Sequence, residues 1–218
     1  MRIPKISNYN SIDDRETIVL PESDFNKPSY IMYDNKTRNK FIKTVETTMV
    51  RSSFEYKKLI SYLKEDLDMK YDMFFQDISK DLGKKIGIEI HHIPFTLYDI
   101  VSIVLKRYES EDIPIDPLMI AREVTMLHYQ GMVGLVPLST TVHQLYHRGD
   151  IFIPLQYVDK GFVSFYQAYK PYMAEYEPML IRLVSMSKAF DMKNANQILR
   201  KHLIYLQNYG YVSVPERL

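Results

Sequence analysis

Apolar positions fall at helical spacing over much of this chain, with one short stretch of strict alternation between the helical runs. From Arg38 onward Phe41, Val45 and Met49 share a face, and a second helix is expected from Ser53, carrying Phe54, Leu59, Ile60 and Leu63. After Gly83 the period changes. Ile86, Ile88 and Ile90 stand at every second position up to His91 and His92, which predicts a strand with Glu89 and His91 on one face and Ile90 and His92 on the other. Pro94 stops it. Thr96 and Asp99 form a capping-box-like start to a helix bearing Leu97, Ile100, Val101, Val104 and Leu105, with Asp in place of the usual Glu or Gln. Asp116-Pro117 opens another, carrying Ile120, Val124, Leu127 and His128 until Gly131.

A short apolar run from Gly134 to Leu138 fits a second strand, placed at an edge or strand end by Pro137. Ser139 or Thr140 can cap a short helix that holds His143 and His147 and ends at Gly149. Beyond Ile151 the chain reads as helical: Phe162, Phe165 and Tyr169 make one stripe, Pro171 and Pro178 punctuate it, and a final helix runs from Asn194 to Tyr209. The expected fold class is α+β and mostly helical. Four segments follow: an extended arm over 1–36 containing Pro4, Pro21 and Pro28, a helical region over 37–84, a core over 85–150 with a two-helix insert at 95–133, and a helical region over 151–218.

Composition narrows the chemistry. A chain of 218 residues that is 46% hydrophobic and 25% charged can bury a core. It has no cysteine, so any metal is held by nitrogen and oxygen, and thiolate nucleophiles are excluded. The polar, proline-broken start from Met1 to Ser7 does not look like a secretory signal, and no apolar run is long enough for a membrane span. The expectation is an intracellular soluble protein, cytoplasmic, with no membrane partner. A net charge of +1 leaves nucleic-acid contact to local patches. Two are available, Lys36, Arg38, Lys40, Lys43 and Arg51 in the first, and Lys188, Lys193, Arg200 and Lys201 in the second; each reads equally well as a solvated face. The eighteen tyrosines favour core over base stacking.

Four of the six histidines come in two pairs, His91-His92 and His143 with His147, while His128 and His202 lie inside amphipathic patterns. Residues four apart on a helix face the same way, so His143 and His147 can offer two imidazoles to one ion. Strand alternation lets only one of His91 and His92 join them, leaving the other for proton transfer. Three ligands with open positions suit phosphodiester hydrolysis. The plain alternative is four satisfied core histidines.

The stretch from Ile86 to Gly149 resembles the ββα-metal core of the HNH endonucleases, and Glu89-Ile90-His91-His92 is especially similar to the colicin-type DNases. The resemblance implies an HNH core with helical extensions, His91, His143 and His147 as metal ligands, His92 as general base, and Glu89 in a supporting catalytic role. It implies one divalent ion (Mg, Mn, Ni or Zn) and a DNA substrate. Arg148, beside the last ligand, reads equally well as a phosphate contact or as a helix-end complement to the dipole. The flanks resemble large bacteriophage proteins, which would make the cytoplasm that of the host. Two departures qualify it: Gly134 stands where the family's loop-bracing Asn belongs, with Asp99, Tyr129 or Gln130 as possible substitutes, and the insert at 95–133 is long. The leading expectation is a metal-dependent HNH-type endonuclease. The alternative is a catalytically weak or inactive protein of that fold, serving as a DNA-binding, transcription-accessory or assembly subunit of a larger phage complex, with the arm or the insert docking a protein partner.

Overall fold

The computed structural model describes residues 34–75, 87–195, 197 and 199. Residues 1–33 of the expected arm over 1–36, the start of the first strand at Ile86, the basic residues Arg200 and Lys201, and nearly all of the expected final helix lie outside these. The described chain is mostly helical with one two-stranded antiparallel sheet, an α+β architecture. It divides into two compact units.

The first unit contains, of the described residues, 34–60, 95–132 and 163–174. Helix α1 (Asn35–Thr44) begins three residues before the expected Arg38, because Asp34 accepts hydrogen bonds from the Lys36 and Thr37 amides. It runs into a π-helical segment (Val45–Arg51). The wider turn explains why Val50, rather than the expected Met49, shares full burial with Val45, and it sets Arg51 beside Glu46, five residues back. Helix α2 (Phe54–Glu65) follows, its last five residues belonging to the second unit.

Helix α3 (Leu97–Ser110) has the full capping box of Thr96 and Asp99, and α4 (Pro117–Tyr129) has Asp116 as N-cap with proline at its first turn. Both starts are as expected because the signals are local. Leu97, Val101, Val104 and Leu105 are completely enclosed, as are Ile120, Ala121 and Val124 on α4, and the two helices pack together. Most of α6 (Gly161–Tyr169) belongs to this unit, and its Tyr169 hydroxyl donates to Glu123, which also accepts from Tyr108 and Arg107. Of the insert expected at 95–133, residues 95–132 thus cluster with the N-terminal helices.

The second unit holds the sheet. Strand β1 (Ile88–His92) pairs with β2 (Leu135–Ser139) in the register Ile88 to Ser139, Ile90 to Pro137 and His92 to Leu135. Period two turns the backbone polar groups of Leu135, Pro137 and Ser139 away from β1, which is why a proline is tolerated there. That outer edge is covered. The Leu135 carbonyl accepts from Asp159, the Pro137 carbonyl accepts from Met73, and the Ser139 amide donates to the Asp72 carboxylate at 2.5 Å.

Gly134 sits just before β2, and a Cβ there would lie 1.9 Å from the Ile93 carbonyl oxygen. Glycine is required by that close approach, so the position that the HNH resemblance assigns to asparagine cannot carry a side chain in this backbone. The suggested substitutes serve other ends: Asp99 closes the α3 capping box, the Tyr129 hydroxyl donates to the Glu55 carbonyl, and exposed Gln130 is the C-cap of α4. Helix α5 (Thr140–His147) leaves β2 directly, capped by Ser139. Its Val142 and Leu145 join Phe74, Phe75, Ile93, Val136, Leu138, Ile153 and Val158 in the unit's core. Helix α7 (Glu177–Lys188) packs more lightly, with Ser187 buried and its hydroxyl oxygen accepting from the Leu155 amide.

Candidate metal centre

Strand alternation decides which histidine of the first pair faces the helix. His91 and Glu89 share one side of β1, and α5 lies against that side with His143 and His147 one turn apart. The His143 Nε2 lies 3.0 Å from His91 Nδ1 and 3.0 Å from His147 Nε2. The three ligand atoms fall within 4.8 Å of one another, with His91 buried, His143 half-buried and His147 exposed.

Glu89 fixes the chemistry of the middle residue. Its Oε2 is 3.0 Å from His143 Nδ1, so that nitrogen carries the proton and donates it to the carboxylate. The Nε2 therefore presents a lone pair to the point that the other two imidazoles face. One lone pair cannot satisfy two neighbours, whereas a cation among the three nitrogens can. Two nitrogens bound to one tetrahedral ion at 2.0–2.1 Å sit about 3.3 Å apart, close to the spacing found. A carboxylate behind a ligating imidazole is the usual means of fixing its tautomer and raising its basicity. The donor set fits a divalent ion that prefers nitrogen.

His92 is elsewhere. It occupies the opposite face of β1, opposite Leu135 in the register, and is 5% exposed. The expected general base is thus turned from the imidazole trio and shielded from water. Arg148 is the C-cap of α5 and reaches Asp150 at 2.7 Å, with both side chains largely exposed. Gly149, with φ of +77°, ends the helix as the sequence indicates. His128, apart from the site, is fully enclosed in the first unit, where its Nδ1–H donates to the Val124 carbonyl, and burial pushes its pKa down to about 4.

Two residues escape a sequence reading. Asp72 is fully buried, and its carboxylate accepts from the amides of Phe74, Phe75 and Ser139. Burial raises its pKa while these donors act in the opposite sense. The only local sign is an aspartate two residues before an aromatic pair, as in an Asx turn. Tyr146 packs edge-on to His91 with ring centroids 4.8 Å apart, and nothing in its spacing distinguishes it from a core aromatic.

Compared with known proteins, residues 1–208 match a family model described as bacteriophage G278-like virion protein. No curated protein and no solved structure matches the chain.

Proposed function

The chain belongs to the bacteriophage G278-like virion protein family, and from that premise we propose that it serves in the phage particle as a structural or assembly subunit carrying a divalent metal site. Its partners are other virion proteins. This refines the expected location from host cytoplasm to the particle; among the described residues no helix is long and apolar enough to cross a membrane.

The observation that carries the metal site is the convergence of His91, His143 and His147, with Glu89 behind His143. Antiparallel strands followed by a histidine-bearing helix support a ββα-metal arrangement for the second unit, with the intervening segment 95–132 assigned to the other unit. Three imidazoles favour zinc or nickel over magnesium, which prefers oxygen ligands and retains its waters. The ion would tie β1 to α5 and contribute directly to folding of the unit, as structural zinc does.

A nuclease activity is the second reading, favoured by the exposure of His147, which leaves one side of the site open to a phosphate oxygen. Against it stand the burial of His92 and the exclusion of any side chain at Gly134. A bound ion would supply Lewis-acid stabilisation of the leaving oxygen, and His92 would have to reach water to accept a proton.

Gradient-purified particles test the first reading: the chain should co-purify at fixed stoichiometry after a high-salt wash, and its absence from particles would contradict a virion role. For the second, supercoiled plasmid is incubated with the wild-type chain and Zn²⁺, Ni²⁺, Mn²⁺ or Mg²⁺. No nicking is expected. Nicking abolished by His92→Ala would establish the enzyme instead.

A further inference from the structure

Helix α5 is only two turns long, and it must hold two ligands in register with a third on a different element. Its buried stripe is limited to Val142 and Leu145, so packing restrains one face and leaves rotation and sliding weakly opposed. What fixes its origin is therefore decisive. The Thr140 amide and hydroxyl both donate to the Gly87 carbonyl, at 3.0 and 3.2 Å, tying the first turn to the start of β1. The Ser139 cap is long, with Oγ 3.5 Å from the Val142 amide. Ser139 is instead held from behind by Asp72, whose carboxylate accepts its amide proton at 2.5 Å.

We infer that Asp72 is the positioning residue of the metal centre: it sets the start of α5, aligning His143 and His147 with His91, and thereby couples metal binding to the seating of residues 71–75 against β2. This rests on the metal-site reading. The carboxylate is fully buried, and its remaining bonds go to the amides of Phe74 and Phe75, both core residues. The Met73 amide meanwhile donates to Pro137. One side chain thus joins a separate segment of chain to the strand end from which the ligand helix departs. An ion drawing α5 onto β1 stabilises the arrangement in which Ser139 faces Asp72, and linkage makes that coupling reciprocal.

The test uses the full chain and Co²⁺, followed by the visible absorption of the bound ion. Asp72→Asn keeps the shape but turns one acceptor into a donor that faces backbone N–H groups. Wild type should bind one ion, and the variant should bind at least about tenfold more weakly, the lower end of effects seen when a ligand's support is removed. Alongside, amide exchange is measured on the wild type with and without saturating Zn²⁺. Protection at Phe74 and Phe75 should rise together with that at Leu145 and Tyr146. An unchanged affinity in Asp72→Asn, even with a lower Tm, would overturn the inference and leave the metal site standing. If the variant does not fold, exchange decides: protection that rises in α5 and stays constant at Phe74 and Phe75 overturns it equally. Absence of any bound ion in the wild type would remove the metal reading, and this inference with it.

Discussion

At the scale of single residues, the site depends on which atom of each ring carries a proton. Glu89 accepts from His143 Nδ1, so removing its charge should weaken metal binding without removing a ligand. Glu89→Ala is expected to raise the Kd for Zn²⁺ by about 10- to 100-fold, and Glu89→Gln by less because the amide oxygen still accepts, as read by competition with a chromophoric chelator. Equal affinities in all three would show that the carboxylate does not orient the ligand. Gly134 makes a harder constraint. Even Gly134→Ala forces a Cβ against the Ile93 carbonyl, whose own amide donates to Gly134, and should cost more than about 3 kcal/mol in urea denaturation. Gly134→Asn should be at least as damaging and should not create nuclease activity. The spacing of the histidines was legible because period two and period four act locally. The pairing of Glu89 with His143 was not, since it joins residues on elements far apart in sequence.

Elements differ in how openly the sequence announces them. The starts of α3 and α4 were legible because Thr96, Asp99, Asp116 and Pro117 act within one turn, and β1 was legible from alternation alone. The π-helical turn was not, because a template of period 3.6 selects Met49 where the backbone buries Val50. Asp72 was silent for a related reason: its partner Ser139 is 67 residues away. Burial has a further consequence on α4. His128 is held neutral, with its pKa pushed down to about 4 from an unfolded value near 6.5. The folded form then binds fewer protons, so stability is fully present above pH 6.5 and is lost as pH falls toward 4, by about 3 kcal/mol over the whole window. Denaturant unfolding at pH 7 and pH 5, compared with His128→Phe, checks this; a variant with the same slope between those values would contradict it.

For the whole molecule, the chain alternates between its two units, crossing at residues 60/61, 94/95, 132/133, 162/163 and 174/175. Such a partition is set by contacts distant in sequence, so a linear reading in four segments had no local signal from which to find it. The family places the chain among bacteriophage virion proteins. The proposed metal site would act through stability, by RT ln(1 + [L]/Kd), about 2.7 kcal/mol at a hundredfold excess of ion over Kd. Zinc should therefore raise the Tm of the wild type and leave that of His143→Ala unchanged, as followed by calorimetry. The most direct measurement is a Co²⁺ titration of the purified chain beside His91→Ala, His143→Ala and His147→Ala. One ion per wild-type chain, with the intense visible bands of low-coordinate nitrogen ligation and loss of that binding in each variant, is the predicted result. No stoichiometric binding, or binding that survives all three substitutions, would contradict a metal site at these histidines.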